Sequence, residues 1–216
     1  MGDENTVPLK YDFLHHRDAP DLFGPLDFQL KDGIHFQQIT KQQAYYNFIL
    51  ENQESLAVYY RDFFDLELTS GGEGMDSYYF LEFNGSNRGA VDADHREFMK
   101  NEFVIVGFLL YKIIFIDKNI ELSSVKALQT MIRKDYEELK PDLYRLFAKA
   151  KKENPSQMND EKVDEIIRYA LNQFSKIGWI TLDDDTFDIN PSFHRLNKIY
   201  ADYINDIDNM IRKISA

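Results

Sequence analysis

Along most of the chain, apolar residues recur at the three-and-four spacing of helices buried on one face. Pro20 to Lys31 carries Leu22, Phe23, Leu26 and Leu30 on one side, and Gly33 suits the left-handed position that ends helices. Thr40 and Gln43 have the spacing of a capping box and are expected to open a second helix through Phe48 and Ile49. Asn52 is placed to cap a third, whose apolar positions are Leu56, Tyr59, Tyr60, Phe63 and Phe64. The period then changes to two. Leu66 and Leu68 alternate with Glu67 and Thr69, residues 70–76 read as a turn, and Ser77 to Phe83 as a returning strand.

A similar order follows. Arg96 to Asp117 reads as a long buried helix, and Leu122 to Lys134 as another with Leu122, Val125, Leu128 and Ile132 on one stripe. Pro141 begins a helix running to about Lys152, since proline is tolerated in a first turn. Asn159 is expected to cap the next one, with Asp160 and Glu161 complementing its dipole and Val163, Ile166, Ile167, Ala170, Leu171 and Phe174 facing inward. Gly178 stops it. Trp179–Leu182 and Phe187–Ile189, joined through Asp183-Asp184-Asp185, form a second hairpin, and Leu196, Ile199, Tyr203, Ile207 and Ile211 continue with helical spacing. Three helices closed by a hairpin is the order of a winged helix. The expected fold is therefore mainly α with small β wings (α+β): tandem winged-helix domains at residues 20–95 and 96–195, an N-terminal arm at 1–19 and a C-terminal helix at 196–216.

Composition narrows the chemistry. Cysteine is absent, which excludes disulfides, thiolate zinc sites and cysteine nucleophiles. The segment Phe103–Ile116 is shorter than the ~20 apolar residues of a spanning helix and is interrupted by Lys112, so a buried helix is expected there. Met1-Gly2-Asp3-Glu4 is not the start of a secretory signal, and a cytoplasmic address with no membrane partner is expected. The formal charge of -12 is uneven: residues 1–95 hold 17 acidic and 6 basic side chains, a balance of -11, and residues 96–216 hold 20 and 19, a balance of -1. The acidic half repels phosphate, whereas the near-neutral half can gather a local basic patch. The two halves are expected to face different partners.

Candidate sites follow from that division. The third helix, the usual groove reader of a winged helix, carries Arg61 beside Glu54, Asp62 and Asp65, a poor match to DNA. Arg133, Lys134, Lys140, Arg145, Lys149, Lys151 and Lys152 put seven cations in a short span and are the candidate DNA contacts, set against a solvated face balanced by Asp135, Glu137, Glu138, Asp142 and Glu153. Tyr45, Tyr46, Tyr59 and Tyr60 are candidate protein-interface anchors, set against ordinary core packing. Five histidines (His15, His16, His35, His95 and His194) lack helical zinc spacing. His15-His16 with Asp18 is the one loose metal candidate, and Asp92 and Asp94 favour the start of the helix that follows them. Gly71-Gly72-Glu73-Gly74 lacks the lysine of a phosphate loop, and Asp183–Asp185 lacks the spacing of a calcium loop. No enzyme activity, metal or cofactor is expected.

Five segments in chain order resemble the MukE/MksE family, the KITE subunits of bacterial MukBEF- and MksBEF-type condensins. They are Leu22-Phe-Gly-Pro-Leu-Asp-Phe-Gln-Leu-Lys-Asp-Gly-Ile-His35; Leu56–Leu66 followed by Tyr78-Tyr-Phe-Leu81; Glu102–Tyr111 with Val106-Gly107 and Leu109; Leu171–Ile180 with Gly178; and Phe187-Asp-Ile-Asn-Pro-Ser-Phe-His-Arg195. Phe103 stands where the family pattern has methionine, and the long acidic tail of some members is replaced by a Lys/Arg-containing helix. The resemblance implies a homodimer that binds a kleisin (MukF/MksF-like), which bridges the heads of an SMC ATPase (MukB/MksB-like). It implies a regulatory and architectural part in chromosome condensation and partition, on DNA held by the complex. A Wadjet-type plasmid-defence counterpart fits equally. The alternative from another class is a stand-alone winged-helix transcription regulator.

Overall fold

A computed structural model describes residues 10–83, 99–134 and 137–215. The chain divides into two compact units, Met1–Glu97 and Phe98–Ala216. The architecture is the expected mainly helical α+β class, with two small antiparallel sheets. The boundary expected at 95–96, the helix start at Arg96, and Asp92, Asp94 and His95 lie outside the described residues.

The first unit contains α1 (Ala19–Lys31), β1 (Phe36–Gln37), α2 (Gln43–Glu51), α3 (Gln53–Phe64), β2 (Glu67–Gly71) and β3 (Tyr78–Glu82). Its sheet runs β1-β3-β2, with Leu68 opposite Leu81 and Gly71 opposite Tyr78. Gly71 has a steric reason: a Cβ there would lie 2.4 Å from the Tyr78 ring, which occupies that space. The core gathers Leu26 and Leu30 of α1, Phe48 and Ile49 of α2, Leu56 and Tyr60 of α3, and Tyr79 and Leu81 of β3. Each of its fully buried large side chains contributes about 1.5–3 kcal/mol through removal from water.

Three expectations are corrected here. Residues 10–18 are not an arm: Asp12–His15 form a 3-10 turn, and Phe13 is fully buried with its ring 4.6 Å from that of Phe23. A single anchoring aromatic leaves no periodicity to read. The Thr40–Gln43 capping box does not form, because α2 has no side-chain cap; instead the Gln42 amide accepts from the Gln37 N–H (3.1 Å) and donates to the His35 carbonyl (3.0 Å), tying β1 to α2. Asn52 precedes α3 without capping it, its side chain donating back to the Phe48 carbonyl at 2.8 Å.

The second unit contains α4 (Asn101–Tyr111), α5 (Val125–Lys134), α6 (Lys140–Lys151), α7 (Asp160–Lys176), β4 (Ile180–Asp183), β5 (Thr186–Ile189), α8 (His194–Asn205) and α9 (Ile207–Ser215). Helix α4 is the buried axis and runs into one π-helical turn, Lys112–Ile116. Gly107 lets α4 approach its neighbours, since a Cβ there would stand 3.0 Å from Leu196 and 3.3 Å from Phe174. Among the described residues no helix is long and apolar enough to cross a membrane. Asn159 caps α7 as expected, accepting from the Lys162 N–H at 2.9 Å. Helix α5 begins at Val125 rather than Leu122, with the Ser124 hydroxyl accepting from the Ala127 N–H at 3.2 Å.

The single C-terminal helix expected over 196–216 is two, α8 and α9, and α8 is kinked at Tyr200 (φ -126°, ψ 30°). The apolar stripe does not continue straight: Ile199 and Tyr203 are half exposed, whereas Leu196, Ile204, Ile207 and Ile211 are buried. The bend brings the rings of Tyr200 and Tyr203 to 5.2 and 6.3 Å from that of Phe108.

Candidate functional site

The tyrosines proposed as interface anchors divide sharply. Tyr46 and Tyr60 are core residues and present no binding surface. The Tyr46 hydroxyl is hydrogen-bonded to the Ser77 hydroxyl and accepts from the Gln38 amide at 3.1 Å. Burial raises the Tyr60 phenol well above its ordinary value, and the negative charge of Asp27 adds to the effect. Asp27 in turn holds Lys31 at 2.6 Å, with the ammonium 3.7 Å from the Phe64 ring centre. Tyr45 and Tyr59 are half-buried, Tyr45 against Phe36 and Tyr59 against Phe13 and Phe23. The exposed apolar surface of this unit is carried by Leu14, Phe28, Leu50, Phe63 and Met75. Phe63 has the spacing of the α3 stripe and is nonetheless 54% exposed, and the other four fall off the buried stripes, where periodicity gives no signal.

The solvent side of α3 is acidic, as its sequence indicates. Asp62 pairs with Lys10 at 2.8 Å, and its second oxygen lies 3.5 Å from Arg61. The hydrogen bond from Lys10 holds the Asp62 carboxyl below its ordinary value, and the same bond raises the Lys10 ammonium. The cations near this helix are thus engaged by carboxylates rather than arrayed for phosphate.

Four of the seven candidate cations in the second unit meet carboxylates. Arg133 lies 3.4 Å from Asp164, Lys140 2.9 Å from Asp160, Arg145 3.6 Å from Asp142 and Lys151 2.9 Å from Glu153. Glu153 also meets Lys162, at 3.2 Å, and its carboxyl is held low by both lysines. Lys134 and Lys152 are exposed, and Arg145 and Lys149, four residues apart, share the exposed face of α6. Lys152 ends α6 in the left-handed conformation. These are partly exposed pairs, worth little individually to stability, but they dilute the field a phosphate would meet.

The remaining motifs are absorbed locally. His16 contacts Glu51 through Nε2 at 3.0 Å and accepts from the Asp18 N–H through Nδ1 at 3.2 Å, so its ring is held by its own unit. Among the described residues no group of three or more acidic or histidine side chains could hold a metal. The glycine-rich 71–74 segment is the first hairpin's turn. Asp185 of the acidic triplet accepts from the Ser124 hydroxyl at 3.1 Å and from Arg168 at 3.5 Å. The His35 ring stacks on Phe80 at 5.1 Å, and His194 lies 3.3 Å from the Tyr111 hydroxyl.

The fold is thus of the mainly helical α+β class, with a short hairpin in each unit, an acidic first half and a charge-balanced second. The family model for condensin complex protein MksE matches residues 21–200, and the chain belongs to that family. A search of curated proteins found no match. Family membership makes the chain an accessory subunit of a condensin-like complex.

Proposed function

We propose that this chain is a non-catalytic, kleisin-binding subunit of an SMC complex, a homodimer of tandem winged helices in a cytoplasmic, nucleoid-associated assembly. The observation that carries the reading is the family match, which begins in α1 and ends in α8 and so spans both units. The acidic α3 supports it further: the helix a winged-helix regulator would lay in DNA is lined here with Glu54, Asp62 and Asp65. DNA contact then belongs to the assembled complex, with Arg133, Lys134, Arg145, Lys149, Lys151 and Lys152 as the contributing cations. Housekeeping condensation and plasmid defence share this architecture.

The test is size-exclusion chromatography with light scattering, on the chain alone and mixed with a MksF-like kleisin. A dimeric mass that shifts to a stoichiometric complex is expected. A protein that ignores the kleisin and binds duplex DNA tightly on its own would instead be a regulator. In the assembled complex, charge reversal at Lys149, Lys151 and Lys152 is expected to weaken salt-sensitive DNA binding. Unchanged binding would remove those residues from the reading.

A further inference from the structure

Helix α2 ends at Glu51 and α3 begins at Gln53, so Asn52 alone makes the corner. That sharp junction turns Leu50 outward, 51% exposed, and sets Glu51 and Glu54 in water. Facing it is the 3-10 turn Asp12–His15, fixed by the burial of Phe13 and by the Phe13 N–H donating to the Ser55 hydroxyl at 3.2 Å. The groove between them has a volume of about 540 Å³, and its walls include Lys10, Asp12, Leu50, Glu51, Glu54 and Val58.

Its charge is one-sided. Three carboxylates meet one ammonium, and that ammonium is held by Asp62 at 2.8 Å. Glu51 pairs only with His16, and Asp12 and Glu54 form no ion pair among the described residues. The first N–H groups of α3, which lack a side-chain cap, offset part of the negative field beside Glu54. What remains is an apolar strip, Leu50 and Val58, between acidic edges. Such a surface repels a phosphate backbone and complements an apolar side chain flanked by lysine or arginine. Residues 1–9 contain Asp3 and Glu4 and no cation, so the chain's own N-terminal segment is a poor complement.

We propose that this groove docks a basic amphipathic helix of a protein partner, with an apolar side chain on Leu50 and Val58 and cations toward Asp12, Glu51 and Glu54. The inference rests on the reading of the chain as a protein-binding subunit and specifies where that binding occurs and the charge it selects.

Fluorescence anisotropy of the full chain with two labelled 20-residue peptides tests it: one with a leucine stripe flanked by lysines, the other with every lysine replaced by glutamate. The basic peptide is expected to bind about tenfold more tightly at low salt, with the preference shrinking as salt rises. Glu51→Lys with Glu54→Lys should abolish the preference. Leu50→Ala should weaken the basic peptide severalfold and keep the preference, and Lys126→Glu, at an exposed position of the second unit, should change neither. Equal affinity for both peptides, or a preference that survives the double reversal, would overturn the proposal, as would labelled duplex DNA, titrated with no peptide present, binding the chain more tightly than the basic peptide does. Thermal melting of each variant checks folding, which these exposed side chains do not support. A kleisin that never co-elutes sinks the functional reading while the peptide preference stands; a kleisin that binds with no peptide preference sinks only the groove.

Discussion

The two hairpins close in different ways. The first turns at Gly72–Asp76 through two glycines, Gly72 at φ +70° and Gly74 at φ +58°, with the Asp76 N–H donating to the Glu73 carbonyl and the Ser77 N–H to the Gly74 carbonyl, which also accepts from the Ser77 hydroxyl at 2.8 Å and the Gln38 amide at 3.4 Å. Its tip holds Met75 almost wholly in water, 83% exposed. The second turns through Asp184 at φ +48° and is fastened to its own unit by side chains and by backbone bonds. Besides the Asp185 contacts described above, the Val125 N–H donates to the Asp185 carbonyl at 2.8 Å and the Phe187 N–H to the Ser123 carbonyl at 2.7 Å. The first tip thus depends on glycine to turn and leaves Met75 in water, whereas the second turns without glycine and is tied to Ser123, Val125 and Arg168 of its own unit.

That contrast can be broken by substitution. Phe187 of β5 is fully buried beside the second tip, and Phe187→Ala is expected to cost about 3–5 kcal/mol in urea unfolding. Hydrogen exchange should place the loss around α5 and β4–β5. At the first tip, a Cβ on Gly72 would fall 2.0 Å from the Asp76 carbonyl oxygen, so Gly72→Ala should cost about 1–3 kcal/mol, read by the same titration. Asp184→Gly at the second tip should stay within about 1 kcal/mol of the parent. An equal penalty at both tips would erase the distinction. Asp185→Ala should cost about 0.5–1.5 kcal/mol by releasing Ser124 and Arg168, while Glu73→Ala stays within about 0.5 kcal/mol.

The smallest effects concern pH and a pair found in the second unit. Tyr144 donates to Asp160 at 2.6 Å, and that bond, with Lys140 second, holds the Asp160 carboxyl below its ordinary 3.8. Its contribution is therefore present above pH 3.8 and lost as pH falls further. Burial, with the bond to Asp160 second, raises the Tyr144 phenol above its ordinary 10.0, so this contribution is present below pH 10 and lost as pH rises beyond it. Tyr144→Phe should remove the alkaline loss and bring Asp160 back toward 3.8, checked by melting across pH and by carboxyl-carbon NMR titration. Asp164, raised by burial, opposes Asp160 in the acid range and should sharpen as a separate titration in the same spectra.

Much of this architecture is legible in residue spacing because helices and hairpins announce themselves locally. The inward stripe of α7, its Asn159 cap, the left-handed Gly33 and Gly178, the alternation of β2 and the existence of β3 are all of this kind. What escapes depends on distant neighbours. Strand β1 is two residues long, too short to alternate, and exists because β3 pairs with it. Thr40–Gln43 has the letters of a cap, but Gln42 makes the bonds that fix that turn. The candidate surfaces were read least well. Tyr46 and Tyr60 have the composition of anchors and the burial of core, and the basic run is matched by Asp160 and Asp164 from a different helix. Charge is visible in a sequence; its partner across the fold is not.

The π-helical turn that closes α4 has its own consequence. Between Lys112 and Ile116 the ladder closes one residue wider than in an ordinary helix, with the Asp117 N–H reaching back to Lys112 at 2.9 Å. The extra residue advances the phase of everything downstream by about a quarter turn. Removing one residue there would restore the regular winding yet swing Asp117 off the Lys112 ammonium it now meets at 2.8 Å. Length in this stretch therefore sets direction, and a one-residue gap or insertion among relatives at this point should be read as a re-aimed connection into α5 rather than as a neutral change.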